Sequence, residues 1–283
     1  MSVHPHPGRV WAEAPRTPHP ATNAVPRRNL VDPNRFDGRT AIVTGAAQGI
    51  GEAVARAFAE RGARVAIVDL NESAAAQVAA DLRQTGSSAR AIKADVTRST
   101  DVNALVQAVG DLFGSIDILV NAAGGFARTL ATESIDDDEW GRVLDLNLTS
   151  AFVCCRAVIP FMKSARRGRI INVASEAGRM PVMLSATHYA AAKAGVLGLT
   201  RHLARELGPF GITVNAVAPG TTRTPRVAAL HEADKVAWIE KLTPLGRIAE
   251  VGDQVGPVLF FASDAAAYVT GATLDVTGGR IML

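Results

Sequence analysis

The feature that most constrains the fold of this chain is a regular alternation of two kinds of segment after Arg39. Short runs rich in β-branched residues alternate with alanine-rich stretches in which apolar residues recur at helical spacing. Apolar strands separated by helices are typical of a parallel sheet that helices cover on both faces. We therefore predict strands at 40–44, 64–69, 89–96, 116–122, 169–174, 212–217 and 273–276, and helices near 50–61, 72–84, 100–112, 138–164, 187–207 and 251–262.

Right-handed crossovers between successive parallel strands give such a chain a doubly wound sheet. The prediction is one α/β domain of the Rossmann type at 37–283, with a seven-stranded parallel sheet in the order 3-2-1-4-5-6-7. A length of 283 residues with 48% hydrophobic content suits one domain with a large core. No apolar run reaches the roughly 18 residues that a membrane span needs. We therefore predict a cytoplasmic protein without a membrane segment.

Residues 1–36 differ in composition from the rest of the chain. Seven of the 14 prolines fall here, so this segment cannot sustain a helix or a central strand, and we predict a disordered extension. The formal net charge of the whole chain is +3, and the same +3 lies within this segment. The body at 37–283 is therefore electrically neutral, and we predict no nucleic-acid partner.

A glycine-rich turn, Thr44-Gly45-Ala46-Ala47-Gln48-Gly49-Ile50-Gly51, joins the first predicted strand to the first predicted helix. Gly45 permits a tight turn, Gly49 lets the backbone approach a phosphate, and Gly51 lets helix and strand pack closely. The N-terminus of a helix adds N–H donors and positive potential. Because a strand precedes the glycines and a helix follows them, the turn predicts a dinucleotide site rather than a tight turn alone.

Asp69 ends the second predicted strand, eighteen residues after Gly51. A carboxylate at this position accepts hydrogen bonds from the ribose hydroxyls of an adenosine and repels a 2′-phosphate. Leu70 and Asn71 follow it and offer no cation to neutralise such a phosphate. We therefore predict NAD as the cofactor in preference to NADP. The alternative is that Asp69 caps the helix at 72–84, and both roles can coexist.

Tyr189 and Lys193 lie four residues apart in a predicted helix, so both side chains share one face. A free tyrosine has a pKa near 10, which is too high for a general base at neutral pH. A lysine ammonium about one turn away favours the phenolate and lowers that pKa. After a nucleotide-binding half, the pair predicts an acid/base group. By itself it would be a solvent-exposed helix pair.

These motifs resemble those of the short-chain dehydrogenase/reductase family over about residues 37–283. The matching elements are Thr44-Gly45-x-x-x-Gly49-x-Gly51, Asp95-Val96, Asn121-Ala122-Ala123-Gly124, Asn147, Ser175, Tyr189-x-x-x-Lys193, and Pro219-Gly220 with Thr224.

The resemblance implies four catalytic residues. Tyr189 would accept the proton in alcohol oxidation and donate it in carbonyl reduction, and Ser175 would hydrogen-bond the substrate oxygen. Lys193 would bind the nicotinamide ribose and lower the pKa of Tyr189. Asn147 would position a water that extends a proton relay from Lys193. The implied activity interconverts a secondary alcohol and a ketone by hydride transfer.

The resemblance also implies the cofactor contacts. Asp95 would lie near the adenine, Asn121 near the adenosine ribose, and Thr224 near the carboxamide. The predicted cofactor-binding residues are Gly45, Gln48, Gly49, Ile50, Gly51, Asp69, Asp95, Val96, Asn121, Ala122, Gly124, Tyr189, Lys193, Pro219, Gly220, Thr222 and Thr224.

Three other functions stay open. A 3-oxoacyl-thioester (acyl carrier protein) reductase linked to NADPH is disfavoured by Asp69. A cis-dihydrodiol dehydrogenase is suggested by the likeness of 154–160 and 259–269 to such enzymes, and Arg223 or Arg226 would then meet a substrate carboxylate. The third is a catalytically silent dinucleotide-binding regulator, against which the intact Ser175, Tyr189 and Lys193 argue.

The segment Thr224–Arg247, which includes His231, is expected to be a mobile lid over the substrate. A largely apolar pocket for a medium-sized alcohol or ketone is predicted from Phe126, Met180, Met183 and Trp238.

The remaining candidates receive structural roles. We predict that His188 is a helix-start residue, that Cys154 and Cys155 fill the core or an interface, and that the chain has no metal site. Phe152, Val153 and Val158 exceed what one sheet face needs, and the family resemblance implies a homotetramer.

Overall fold

The computed structural model describes residues 35–182, 185–230 and 232–282. The predicted extension at 1–36 therefore lies outside the described residues, except for its last two. Phe36 is only 1% exposed. Its ring meets that of Phe58 edge-on at a centroid distance of 4.9 Å, and its N–H donates to the Arg61 carbonyl at 2.9 Å. Phe36 therefore belongs to the packed body.

The main sheet has seven parallel strands among the described residues, as predicted. Along the chain the strands are β1 (Thr40–Thr44), β2 (Arg64–Asp69), β3 (Ala89–Lys93), β4 (Ile118–Asn121), β5 (Gly168–Val173), β6 (Ile212–Pro219), β7 (Thr222–Arg223), β8 (Ala249–Glu250) and β9 (Thr273–Val276). The order across the sheet is β3-β2-β1-β4-β5-β6-β9. The two-residue strands β7 and β8 pair with each other, so the seventh strand of the main sheet is the ninth of the chain.

The predicted helices are found close to their predicted positions, and two further helices lie within 224–247, where none was predicted. They are α1 (Gly49–Glu60), α2 (Glu72–Gln84), α3 (Ser99–Phe113), α4 (Asp137–Leu144), α5 (Ser150–Ala165), α6 (Thr187–Leu207), α7 (Pro225–Leu230), α8 (Ala233–Leu242) and α9 (Val251–Ala262). The helix predicted at 138–164 is divided by a π-helical turn, Asp145–Thr149. The π turn shifts the helix register at Asn147, and such turns are frequent at functional sites.

The core has two layers, one on each face of the sheet. Alternate residues of β1 divide between them, because Val43 packs with Phe58 of α1 on one face and Ile42 with Met162 of α5 on the other. Every residue of β1 is buried. The sheet is therefore fixed from both sides, and the carboxyl ends of its parallel strands form one rigid edge.

The continuous run Asp137–Ala165, which joins α4, the π turn and α5, is 29 residues long and apolar enough to cross a membrane by length and composition. Its α5 part contributes buried Val153, Val158 and Met162 to the core layer that it shares with β4 and β5. A helix packed in this way is a core helix of the fold, and core helices pass the same length and composition test.

Candidate active site

The carboxyl ends of the parallel strands open into a cavity of about 410 Å³. The glycine turn, the ends of β2, β5 and β6, and the first turns of α6 all contribute to its wall. Of the predicted catalytic and cofactor-binding residues, all line this cavity except Asn121 and Asn147. Strands that are distant in sequence therefore bring the two halves of the predicted site together, as expected for this topology.

The glycine turn needs glycine for conformational and steric reasons. Gly45 and Gly49 have φ values of +63° and +61°, which side chains rarely adopt. A Cβ on Gly45 would also lie 2.8 Å from the Cα of Ala123. A Cβ on Gly51 would overlap the Gly45 carbonyl oxygen. The close approach of α1 to β1 that was predicted for Gly51 is therefore present.

Thr44 fixes the turn to the neighbouring strand, a role that the sequence reasoning missed. Its Oγ1 accepts hydrogen bonds from the N–H groups of Ala122 and Ala123, each at 3.1 Å. The residues after β4 are thereby tied to the end of β1. A threonine before a glycine turn was the only sequence signal for this contact.

Asp69 lies at the cavity end of β2 and accepts hydrogen bonds from the N–H groups of Ala47 and Asn71, both at 3.0 Å. The N-cap of α2 is Asn71, whose side chain accepts from the Ala74 N–H at 3.2 Å. The alternative role of Asp69 as that helix cap is therefore wrong, because Asn71 performs it.

The residue in register with Asp69 on the adjacent strand is a lysine. Lys93 of β3 is in register with Asp69, but its Nζ is 3.4 Å from Glu72 Oε2. Asp95 lines the same part of the cavity, and its Oδ1 accepts from the N–H of Thr97 at 3.0 Å and from its hydroxyl at 2.6 Å. The adenosine end of the predicted site thus has two oriented carboxylates.

Asn121 does not line the cavity, and its position near the adenosine ribose stays a prediction. Its Nδ2 donates to Asn172 Oδ1 at 2.8 Å and approaches Cys155 Sγ at 3.4 Å. The side chain is 5% exposed and faces α5, away from the cavity. A residue at the end of a strand can point to either sheet face, and here the buried amide pair with Asn172 holds it inside.

Ser175, Tyr189 and Lys193 meet in the cavity. Ser175 follows β5 directly, and its Oγ accepts from the Ala177 N–H at 3.2 Å. Tyr189 lies in the first turn of α6, and the Ser175 hydroxyl lowers the pKa of Tyr189. One helical turn later, Lys193 is buried, and its Nζ donates to the Val173 carbonyl at 2.8 Å. The serine and the tyrosine are therefore positioned to share one substrate oxygen.

Burial dominates the titration of the two helix residues. Burial raises the pKa of Tyr189, and the hydrogen bond with Ser175 and the charge of Arg226 oppose that rise. The Lys193 Nζ lies 5.7 Å from the centre of the Tyr189 ring, and the lowering of the tyrosine pKa by Lys193 stays a prediction. Burial, assisted by the charge of Arg226, lowers the pKa of Lys193 itself to about 7.

Asn147 lies behind the cavity wall, in the π turn. Its Oδ1 accepts from the Gly125 N–H at 2.7 Å, and its Nδ2 donates to the carbonyls of Gly125 and Val143, each at 2.8 Å. A Cβ on Gly124 would lie 2.7 Å from Asn147 Oδ1 and 3.1 Å from Lys193 Nζ. Asn147 therefore holds the glycine pair beside Lys193, and its predicted water stays a prediction.

The substrate side of the cavity matches the predicted apolar pocket only in part. Phe126 lines it and packs against Tyr189 at a ring-centroid distance of 4.7 Å. Met180 and Trp238 are exposed and do not line it. The predicted pocket residue Met183 and the predicted lid residue His231 lie outside the described residues. The apolar lining comes instead from Leu146, Val182, Val227 and Leu230.

His188 is fully buried, with its Nε2 3.4 Å from Glu139 Oε1 of α4. Its Nδ1 accepts from the N–H of Tyr189 at 2.8 Å. It does not line the cavity. The structural role predicted for His188 agrees with this position.

Ion pairs over long sequence distances fix the wall after Ser175. Glu176, which follows it directly, is paired with Arg280 near the C-terminus. Burial raises the pKa of Glu176, and the Arg280 charge opposes that rise. Arg179 pairs in the same way with Asp275 of β9 at 2.9 Å. The sequence reasoning missed both pairs, because partners about 100 residues apart carry no local pattern.

The site fits a nicotinamide dinucleotide on this chain's own geometry. The glycine turn leaves the space that side chains would fill, α1 begins at that space, and Asp69 stands where ribose hydroxyls would find an acceptor. Beyond it, an acid/base pair reaches the same cavity. A Rossmann domain with these features is the catalytic domain of a nicotinamide-dependent oxidoreductase.

Comparisons with known proteins agree. A family profile described as enoyl-(acyl carrier protein) reductase matches residues 45–280. The 3-oxoacyl-(acyl-carrier-protein) reductase FabG of Vibrio cholerae is 41% identical over 248 residues, 88% of this chain and 99% of that protein. The chain belongs to the short-chain dehydrogenase/reductase family and is an NAD(P)-dependent oxidoreductase.

Two solved structures extend the comparison. A 3-oxoacyl-(acyl-carrier protein) reductase from Brucella melitensis with bound NAD is 40% identical, with a TM-score of 0.81, and the match covers 89% of this chain and 94% of that one. A gluconate 5-dehydrogenase from Burkholderia cenocepacia in complex with NADP and tartrate is 36% identical, with a TM-score of 0.84 and coverage of 88% and 97%. Relatives of one fold thus carry different cofactors and substrates.

Proposed function

We propose that this enzyme interconverts a secondary alcohol and a ketone and prefers NAD to NADP. The observation that carries the proposal is the meeting of Ser175, Tyr189 and Lys193 in the same cavity as the glycine turn. Binding of a dinucleotide alone does not require all three of these side chains. A catalytically silent regulator is therefore disfavoured.

The side chains divide the proton chemistry. In alcohol oxidation the Tyr189 oxygen accepts the proton of the substrate hydroxyl, while Ser175 hydrogen-bonds the same oxygen. In ketone reduction the Tyr189 hydroxyl donates the proton to the carbonyl oxygen. The bound nicotinamide dinucleotide supplies the hydride acceptor or donor. Lys193 would bind the nicotinamide ribose, and Asn147 would hold Gly125 beside it.

The preference for NAD rests on Asp69. Its carboxylate is oriented by two backbone N–H groups, and a 2′-phosphate placed against it would meet like charge. Lys93, the cation in register with it, is paired with Glu72. The Brucella relative with bound NAD supports this preference, and the Burkholderia relative with NADP is the contrary case.

A reductase of 3-oxoacyl thioesters is the second candidate, favoured by the 41% identity to the Vibrio enzyme over almost its whole length. The same Ser175 and Tyr189 would act on the thioester's 3-oxo group. A hydroxy-acid substrate also has support, because the gluconate 5-dehydrogenase was solved with tartrate. A cis-dihydrodiol dehydrogenase stays a further alternative, carried by sequence likeness alone.

Absorbance at 340 nm separates these functions. We expect NAD-linked oxidation of at least one member of a panel of secondary alcohols and hydroxy acids, with slower turnover with NADP and with acetoacetyl-CoA plus NADPH. A faster thioester reaction with NADPH would establish the second candidate instead. Absence of turnover with every pair, with NADH still bound, would establish the regulator.

Tyr189→Phe should lower kcat by about 10²–10⁴-fold, because proton transfer by a positioned group contributes that much. NADH binding, followed by fluorescence, should be retained. Tyr268→Phe is the matched control, since Tyr268 is the other tyrosine of the chain and is fully exposed. Equal effects of the two substitutions would remove Tyr189 from the chemistry.

Asp69→Ala should raise the KM for NAD by about tenfold and improve turnover with NADP, since the like charge that opposes a 2′-phosphate is gone. Asp81→Ala is the control, because Asp81 pairs with Arg56 outside the cavity. Unchanged NAD kinetics in Asp69→Ala would exclude its ribose role.

We also propose a cytoplasmic homotetramer that binds neither nucleic acid nor membranes. The surface predicted for assembly is smaller than the sequence suggested, because Val153 and Val158 pack in the core and only Phe152 of the three is exposed. On α6, Ala191 and Ala194 are exposed small residues. Light scattering that shows a monomer at micromolar concentration would exclude the tetramer.

A further inference from the structure

Arg226, the second residue of α7, lines the cavity that holds Ser175 and Tyr189. Its Nη1 donates to the carbonyl oxygen of Gly124. The guanidinium lies so close to Gly125 that a Cβ on that glycine would overlap it. Phe126, the next residue, packs on the Tyr189 ring at 4.7 Å. Three successive residues thus connect the Arg226 cation with the reacting hydroxyl.

The charge of Arg226 is not neutralised within the part of the chain that the structure describes, where no carboxylate lies within 4.0 Å of it. Arg223, three residues earlier, shows the contrast. Its guanidinium lies 2.9 Å from Glu250 and 3.5 Å from Glu240, and it does not line the cavity. Two arginines of one short segment therefore have different surroundings.

The acidic side chain of the catalytic wall does not neutralise Arg226 either, because it already has a partner. Glu176 is paired with Arg280. Asp69 and Asp95 lie at the opposite, adenosine end of the cavity. Arg226 therefore leaves an excess of positive charge on the substrate side, and its field reaches both Tyr189 and Lys193.

A guanidinium carries five N–H donors in a planar fork that matches a carboxylate in bidentate geometry. The Gly124 carbonyl engages Nη1, so donors stay available toward the cavity. The rest of that side is mostly apolar, lined by Phe126, Val182, Val227 and Leu230 together with the hydroxyl group of Ser185. One cation against an apolar wall suits a ligand with one carboxylate and a short carbon body.

We propose that Arg226 binds the carboxylate of the substrate, so that the enzyme acts on a small hydroxy acid and its oxo-acid product. Because Arg226 contacts the loop that packs on Tyr189, we expect only a few bonds between the carboxylate and the carbinol carbon. This inference rests on the proposed alcohol–ketone chemistry and adds the class of substrate to it.

The test compares acids with their primary amides, which keep the size and lose the charge. With NAD, 3-hydroxybutyrate and 3-hydroxycyclohexanecarboxylate are each measured against the matching amide. We expect wild-type kcat/KM to favour at least one acid by about 10–100-fold, and Arg226→Gln to reduce that acid-to-amide ratio at least tenfold. Arg223→Gln is the matched control and should keep the ratio. No preference in the wild type, or an equal loss on acid and amide, overturns the proposal.

Binding gives a second readout that does not depend on turnover. Calorimetry with tartrate and with 3-hydroxybutyrate in the presence of NADH should detect an acid bound by wild type and Arg223→Gln, and at least tenfold weaker binding by Arg226→Gln. A rise in the NADH dissociation constant of Arg226→Gln, with acid binding unchanged, would assign Arg226 to the cofactor phosphates and overturn the proposal. Acid binding that depends on Arg226 without any hydride transfer would instead refute the proposed function alone.

Discussion

The two ends of the cavity are built in different ways. At the adenosine end, backbone groups and short-range contacts define the shape, as in the Gly45 turn and the N–H donors that Asp69 receives. At the substrate end, side chains distant in sequence hold the wall, as in the pairs Glu176–Arg280 and Arg179–Asp275. A backbone-built site tolerates few substitutions, whereas a site held by ion pairs changes its specificity with single replacements.

The largest expected loss of folding stability is at the substrate end, where Arg280→Met would leave the Glu176 carboxylate buried without its cation. Removal of one partner from a buried pair destabilises by about 3–5 kcal/mol. The two side chains are 15% and 5% exposed, so solvent screens this pair little. Urea unfolding should show the loss, together with reduced kcat, because Glu176 follows Ser175 directly.

The same variant has a pH signature. The pKa of Glu176 is raised by burial, so the folded state binds its proton more tightly than the unfolded state does. Stability is then highest below the ordinary value of 4.5 and falls as the pH rises through the folded pKa. Without Arg280 the pKa of Glu176 rises further. The stability that Arg280→Met loses relative to wild type should therefore be larger at pH 8 than at pH 5. The double variant Arg280→Met with Glu176→Gln should recover most of the stability at pH 8, and failure to recover would show that the pair does not hold the wall.

The next largest loss of stability is expected at the adenosine end of the cavity, from a substitution in the glycine turn. Gly51→Ala places a Cβ on the Gly45 carbonyl oxygen, and such overpacking costs about 1–3 kcal/mol. NADH affinity should fall with it, because the turn must open. Gly252→Ala in α9 is the matched helical control, since a Cβ there meets nothing within 4 Å. If Gly51→Ala and Gly252→Ala lowered stability and NADH affinity equally, the glycine turn would not be a rigid, backbone-built site.

The last expected effect is a pH dependence of stability that comes from Lys193, which lies between the two ends. Its folded pKa of about 7 lies below the ordinary 10.5, so the unfolded state binds more protons between these pH values. Wild-type stability should therefore rise with pH from 7 to about 10.5.

Lys193→Met should lack this rise and should be relatively more stable at pH 7 than at pH 10, while its activity falls by about 10²-fold or more. Thermal unfolding of the two proteins across this pH range measures the difference. A parallel pH profile of the two melting temperatures would contradict the burial of a titrating amine.

The same contrast explains what the sequence could predict. Alternating apolar runs set the strands of the main sheet, and the demands of a tight turn made Gly45, Gly49 and Gly51 recognisable. Asp69 followed from its place at the end of β2. These features are local or depend on the order of the strands. Short stretches of sequence are enough to predict either kind.

What escaped prediction depends on tertiary contacts. The inward turn of Asn121 follows from its amide pair with Asn172, and the exposed positions of Met180 and Trp238 follow from how their segments pack. The change of helix register at Asn147 comes from a π turn, and the spacing of apolar residues in the sequence does not reveal such a turn. The raised pKa of Tyr189 follows from burial, which outweighs the charges around it.

The attachment of Arg280 to the catalytic wall has a practical consequence for work with this protein. Ile281, the next residue, is 6% exposed, and its N–H donates to Thr277 Oγ1 at 3.2 Å. A purification tag fused shortly after Ile281 would begin close to a buried side chain and would pull on the residue that neutralises Glu176. Kinetic constants measured on such a fusion would include the effect of the tag on the catalytic wall. The tag should therefore be joined through a flexible spacer or removed by proteolysis before kinetic measurements.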